Sequence, residues 1–263
     1  MKADFYKYHG TGNDFIILDQ LETIAFEPSD EVIRQWCNRR TGIGADGLII
    51  LKPSKQYSFY MDYFNSDGNR STLCGNGSRC AVAYFYSRNK VSEIIFEAID
   101  GPHDAIAEEI KGGETMVSVK MNDIDEVNNF NEGIVLDTGS PHYVLFPEKD
   151  LDEINIDSEG RKIRYNENFA EQGINVNFVK AEADNLRVRT YERGVEAETL
   201  SCGTGVTASA IAAAIAHNIK SPCRVQTEGG FLEVKFEKSD GNGFNNIWLK
   251  GPATYVFKGE LNL

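Results

Sequence analysis

The sequence predicts an α+β protein of two similar lobes, each made mostly of strands around one buried helix. Three observations carry this: motifs that recur in the same order after about half the chain, a helical stretch apolar on nearly every face, and short β-forming runs throughout both halves.

The recurrence begins at Thr11-Gly12-Asn13-Asp14-Phe15, followed by three aliphatic residues. It resembles Thr138-Gly139-Ser140-Pro141-His142-Tyr143, followed by Val144-Leu145, with one residue added. Further on, Thr72-Leu73-Cys74-Gly75-Asn76-Gly77 resembles Thr199-Leu200-Ser201-Cys202-Gly203-Thr204-Gly205, again with one residue added. The opening threonines of the first pair lie 127 positions apart and the two cysteines 128. Between them, Gly42-Ile43-Gly44-Ala45-Asp46-Gly47 loosely echoes Gly173-Ile174-Asn175-Val176-Asn177-Phe178. One such pair of glycine-rich loops is expected by chance; three in the same order indicate a duplication. The first lobe is expected to comprise residues 1–121 plus 251–263 and to hold Cys74. The second comprises 122–250 and holds Cys202.

In chain order, β-forming runs predict strands at Phe5–Tyr8, Phe15–Leu18, Leu48–Leu51, Phe59–Tyr63, Ile94–Ala98, Val117–Val119, Val176–Val179, Leu186–Tyr191 and Leu232–Phe236. Met116–Met121 and Ile247–Lys250 close the two copies, and Ala253–Phe257 is expected to cross back to the first lobe. Two helices are expected just after the cysteines. The clearer one, Val206–Ala216, is alanine-rich and apolar all round, the pattern of a helix enclosed in a core. The other, about Ser78–Arg88, is apolar for most of its length.

The 263 residues provide ample core, and no low-complexity tract signals disorder. A formal charge of -13 would repel a phosphate backbone, which argues against a nucleic-acid partner. The longest strongly apolar run falls well short of the roughly 20 residues a bilayer span needs, and the amino-terminal residues lack a signal-peptide apolar stretch. The expectation is a cytoplasmic protein with no membrane partner. Five cysteines form an odd count without Cys-x-x-Cys spacing, and His9, His103, His142 and His217 are scattered. Free thiols and no metal site are expected.

A Cys-Gly-x-Gly at a helix start sets sulfur beside backbone N–H groups that have no intrahelical acceptor and at the positive end of the helix dipole. Such surroundings lower a thiol from a pKa of about 8.5 to roughly 3.5–7.5, within reach of a general base. Gly75, Gly77, Gly203 and Gly205 let backbone donors approach a bound carboxylate closely. Two such starts facing one substrate would place thiols on opposite sides of an α-carbon, one removing a proton while the other returns one. Backbone donors and exclusion of water would then stabilise the carbanion without a cofactor. A disulfide between Cys74 and Cys202 is conceivable in oxidised protein. Cys37, Cys80 and Cys223 lack these surroundings and are assigned to packing.

The segments HGTGNDF (9–15), RRTGIGADGL (39–48), FNSDG (64–68), CGNGSRC (74–80), GINVNF (173–178), YERG (191–194) and ETLSCGTG (198–205) together resemble the signatures of the diaminopimelate epimerases across essentially the whole chain. The resemblance implies two pseudo-symmetric lobes, each a curved, mostly antiparallel sheet around a central helix, with the site in the cleft between them, and a homodimer. It implies conversion of L,L-diaminopimelate to the meso form, feeding lysine and peptidoglycan synthesis, with neither cofactor nor metal. Cys74 and Cys202 resemble the two catalytic thiols. Asn76 and the amides of Gly75, Gly203 and Thr204 resemble ligands of the reacting α-carboxylate. Asn13, Asn65, Asn175, Glu192 and Arg193 are similar to residues that hold the amino groups and the distal carboxylate. A forked guanidinium suits a carboxylate, neutral amides suit a zwitterion, and a glutamate suits an ammonium.

Two departures stand out. Ser140 lies where the family often has asparagine, so a water could bridge to the substrate or side-chain selectivity could be looser. Asn69-Arg70 replaces a common Ser-Glu. His142, near the same loop, is read as structural or as a support behind the site. Two alternatives stay open at this stage. One is a racemase or epimerase of another amino acid, such as proline, on the same fold; the other is a non-catalytic amino-acid-binding protein. The asparagine set and Arg193 favour a substrate with a distal carboxylate.

Overall fold

The computed structural model describes residues 2–22, 26–71, 74–110, 114–182 and 185–262; Thr72 and Leu73 of the first cysteine motif lie outside them. The chain divides into two compact units, one of Met1–Val119 with Gly251–Leu263, the other of Lys120–Lys250.

The first unit runs β1 (Lys2–Gly10), β2 (Asn13–Asp19), α1 (Asp30–Cys37), β3 (Gly47–Lys52), β4 (Phe59–Asn65), α2 (Gly75–Asn89), β5 (Glu93–Ala98), β6 (Gly101–Glu109) and β7 (Thr115–Lys120). The second runs β8 (Asn128–Phe130), β9 (Gly133–Asp137), β10 (Pro141–Leu145), α3 (Ile156–Arg164), β11 (Asn175–Ala181), β12 (Leu186–Glu192), β13 (Ala197–Thr199), α4 (Gly203–Ala216), β14 (Cys223–Thr227), β15 (Gly230–Lys238) and β16 (Phe244–Asn262). β16 is shared: its residues 244–250 belong to the second unit and the rest to the first. Its end pairs antiparallel with β1, so Ala253–Phe257 does return to the amino-terminal strand.

The duplication reaches the pairing pattern itself. From β1 to β7, successive neighbours pair antiparallel, parallel, antiparallel, parallel and antiparallel, ending on the antiparallel β6–β7. β9, β10, β11, β12, β14, β15 and β16 repeat that order. The helices fall at matching places, because each parallel pair requires a crossover long enough to hold one.

The long apolar runs follow from burial on both sheet faces. In β2, Phe15 and Ile17 face α2 while Ile16 and Leu18 pack on Ile33 and Trp36 of α1. In the second unit, Val144 and Val179 lie against α4, whereas Tyr143, Val176 and Phe178 pack with Ile156 of α3. α2 and α4 are enclosed: Arg79 to Ala83 and Val206 to Ala213 are wholly buried.

All nine β-forming runs lie inside strands. Both cysteine helices begin three residues earlier than composition suggests, at Gly75 and Gly203. Glycine is a poor helix former, and here the enclosing strands override its propensity. Among the described residues no helix is long and apolar enough to cross a membrane.

Candidate active site

Cys74 and Cys202 are the N-caps of α2 and α4, with nearly the same backbone, φ -107° and ψ 115° against φ -116° and ψ 113°. Neither helix carries an acidic residue in its first turn, whereas α1 opens with Asp30 and Glu31 and α3 with Asp157 and Glu159. The positive helix ends at the two sulfurs are therefore not offset by side-chain carboxylates in the same turn, which favours an anion there.

In the first unit the Gly77 amide donates to Cys74 Sγ at 3.4 Å, and that sulfur lies 3.8 Å from Asn13 Oδ1. Asn76 Nδ2 donates to the same Oδ1 at 3.2 Å, and Asn13 Nδ2 donates to Asp46 Oδ2 at 2.7 Å. Cys74, Asn76 and Asn13 thus form one connected group. Asn65 ends β4, where its Oδ1 accepts from the Tyr63 hydroxyl at 2.8 Å. Behind Asn13, Asp14 takes Arg39 and Lys7. Burial raises its pKa, but these two partners outweigh burial and hold it at about 2.

In the second unit two groups form. Asn175 Nδ2 donates to Ser140 Oγ at 2.9 Å, Arg193 Nη2 reaches the same oxygen at 3.4 Å, and the Arg193 amide donates to Asn175 Oδ1 at 2.8 Å. Ser140, the departure from the family pattern, is thus tied directly to Asn175 and Arg193, two of the residues expected to hold the amino groups and the distal carboxylate. Glu192 accepts from the Thr199 hydroxyl at 3.0 Å.

The other group leads to Cys202. The Thr190 hydroxyl donates to Asn177 Oδ1 (2.9 Å), which turns Asn177 Nδ2 toward His142 Nδ1 (3.0 Å). That leaves the imidazole proton on Nε2, 2.9 Å from Thr204 Oγ1, and frees the Thr204 hydroxyl to donate to Cys202 Sγ at 3.4 Å. His142 is fully buried; burial and the nearby Arg193 charge push its pKa down to about 3, so it is neutral at physiological pH.

Strand register shows how the two copies correspond. Phe15 pairs with Gly47 and His142 with Asn175; Ile49 opposes Tyr63 and Asn177 opposes Thr190. A Cβ on Gly77 would meet Ile49, Phe15 and Cys74, and one on Gly205 would meet Asn177, His142 and Cys202. Phe15, Ile49 and Tyr63 therefore correspond to His142, Asn177 and Thr190. The sequence comparison had set Phe15 opposite Tyr143 and Gly42 opposite Gly173. Register moves the first match by one residue and sets Gly47 against Asn175. One helix start rests on an apolar floor, the other on a hydrogen-bonded polar one.

The sequence model of the family described as diaminopimelate epimerase matches residues 5–128 and 134–256. The diaminopimelate epimerase of Flavobacterium psychrophilum is 45% identical over 256 residues, covering 96% of this chain and 98% of its own. That of Aquifex aeolicus is 37% identical over 284 residues, covering 98% of each. The chain belongs to the diaminopimelate epimerase family. Solved structures share the fold at low identity. A Bacillus anthracis phenazine biosynthesis protein of the PhzF family superposes with a TM-score of 0.76 at 15% identity over the whole of both chains. A hydroxyproline epimerase of Agrobacterium vitis does so at 0.70 and 13%, covering 99% of this chain and 91% of its own.

The motif resemblance marks the asparagines, whereas Arg79, Asn177 and Thr190 carry no comparable signal in the sequence. Arg79 stands inside the CGNGSRC segment and Asn177 inside GINVNF, so both were in view; their burial was not. Among the described residues no three His, Cys, Asp or Glu side chains gather as a metal-binding group.

Proposed function

We propose that this chain is a cofactor-free epimerase that interconverts L,L- and meso-diaminopimelate, with Cys74 and Cys202 as its two proton carriers. The observation that carries the reading is that each half of a duplicated fold caps a buried helix with a cysteine whose sulfur accepts or shares hydrogen bonds. Family membership supplies the substrate class.

In this reading a thiolate on one side of the α-carbon removes its proton while the opposing thiol delivers another. The first sulfur ends as the thiol and the second as the thiolate, so charge and protons balance and the reverse reaction uses the swapped pair. First-turn amides of α2 and α4, including those of Gly75, Gly203 and Thr204, hold the α-carboxylate with Asn76 and take up carbanion charge. Asn13, Asn65 and Glu192 hold ammonium and carboxylate groups; Arg193 and Asn175 take the distal end. That last assignment is supported by Arg193, Asn175 and Ser140 already forming one hydrogen-bonded set. No metal or organic cofactor is invoked.

Incubation with L,L-diaminopimelate in heavy water, followed by chiral analysis, tests this. Meso product with deuterium at the inverted α-carbon is expected, and Cys74→Ala or Cys202→Ala should abolish epimerisation. Binding without exchange, or preference for proline, would sink the reading. The same proposal includes a cytoplasmic homodimer. Tyr255, Val256 and Phe257, consecutive and exposed on β16, offer an apolar surface for the contact. A monomer mass in sedimentation equilibrium would remove that part.

A further inference from the structure

Arg79, in the second turn of α2, is fully buried. Its Nη2 donates to Asn76 Oδ1 at 2.9 Å and Thr11 Oγ1 at 3.1 Å, Nη1 reaches the Gly75 carbonyl at 3.4 Å, and Nε the Pro252 carbonyl at 3.5 Å. None of these acceptors is charged. Burial lowers its pKa to about 10, and the thiols of Cys80 and then Cys74 act against that shift. A buried cation with neutral partners is costly, because nothing of opposite charge repays its lost hydration.

The surrounding charges cancel one another. Lys7 and Arg39 pair with Asp14 at 2.7 Å each, and Arg39 pairs with Asp46 at 2.6 Å, giving two cations and two anions in one cluster beside Asn13. His9 on β1 accepts from the Gly12 amide, and Tyr63 on β4 donates to Asn65. Cys80 is wholly buried, and burial raises its thiol far above the usual range, whereas Cys74 is only half-buried. The uncancelled positive charge therefore bears on Cys74. Arg79 also closes a chain of fixed orientation. With Asn76 Oδ1 held by Arg79, Nδ2 must turn to Asn13, whose own Nδ2 is held by Asp46. At the corresponding position α4 carries the neutral Thr207, whose hydroxyl donates to the Gly203 carbonyl at 3.0 Å.

We propose that Arg79 is a positioning residue for proton transfer at Cys74: its guanidinium locks the Asn76 and Asn13 amides in one orientation and supplies the positive charge against which that thiol ionises. The two thiols are then prepared by different means, Cys74 by a buried cation and Cys202 by the neutral hydroxyl relay from His142.

The inference rests on Cys74 being a proton carrier, and its test is separable from that reading. Wild type, Arg79→Gln and Arg79→Lys are alkylated with iodoacetamide over about pH 5 to 10, and modification is read at Cys74 and Cys202 by peptide mass spectrometry. Arg79→Gln should raise the Cys74 midpoint by about one pH unit or more and leave Cys202 in place. Arg79→Lys should keep the Cys74 midpoint but lose about tenfold in kcat/KM, because one ammonium cannot reproduce the planar set of donors that reaches Asn76, Thr11, Gly75 and Pro252 together. Equal shifts at both cysteines, or an unmoved Cys74 midpoint in folded Arg79→Gln, would overturn the proposal. If Arg79→Gln does not fold by circular dichroism, Arg79→Lys decides: full kcat/KM, or a common shift at both cysteines, overturns it. Failure of the functional reading looks different, as a Cys74→Ala enzyme that still interconverts the two stereoisomers.

Discussion

His142 Nε2 lies 2.9 Å from the Thr204 hydroxyl, at the first turn of the helix that Cys202 caps. The imidazole can only donate there, because its Nδ1 is occupied by Asn177, so the hydroxyl proton of Thr204 is directed to sulfur. Thr204→Val should break this relay while keeping the backbone amide. A loss of about tenfold in kcat/KM is expected, with Thr204→Ser recovering most of it, in steady-state assays of both stereoisomers. Full activity in the valine variant would remove the relay from the mechanism.

The buried imidazole has a pH signature. Its pKa falls from 6.5 to about 3 on folding, so below pH 6.5 the unfolded chain takes up a proton that the folded chain refuses. The stability it contributes is complete above 6.5 and declines as pH falls toward 3, by up to about 1.4 kcal/mol per pH unit. Asp14, held at about 2, begins to cost stability only below its ordinary 3.8, so the interval from 6.5 to about 5 reports His142. Urea unfolding across that interval should show the slope, and His142→Gln should flatten it.

The paired glycines beneath the two cysteines should respond differently to a methyl group. At Gly205 a Cβ would lie 2.5 Å from Asn177 Oδ1 and displace the Thr190–Asn177–His142 series. At Gly77 the nearest atom is Ile49 Cδ1 at 3.3 Å, on a side chain that can yield. Gly205→Ala should cost about 1–3 kcal/mol and most of the activity, and Gly77→Ala less of both, by thermal unfolding and kinetics.

Ser140→Ala removes the oxygen shared by Asn175 and Arg193. Both remain, less firmly placed, so KM for diaminopimelate should rise several-fold with kcat little changed, the mark of an interaction made equally in ground and transition states. A fall in kcat at constant KM would place Ser140 near the reacting carbon instead of the distal end.

Much of this protein is legible in its residue order. The recurrence near 128 positions, the apolar stretch after Cys202 and the β-forming runs point to two similar strand-rich units, and every such run falls inside a strand. α1 and α3 are not legible in the residue order. Both are short and amphipathic, and their signals, Ser29 and Asn155 as caps followed by acidic residues, are brief beside the flanking loops.

Sequence alone determined the duplication and singled out Cys74 and Cys202, because a motif repeated with its glycines survives any uncertainty in register. Only the tertiary structure decided which side chains lie under each cysteine helix. In a strand, one residue of slip moves a side chain to the opposite face, so a match that sets Phe15 against Tyr143 names a side chain packed with α3, whereas the register sets Phe15 against His142 and puts an imidazole at the helix start. Burial decided the rest: nothing in the residue order marks Arg79 as buried, and its enclosure beside Thr11 and Pro252 gives it neutral acceptors among the described residues.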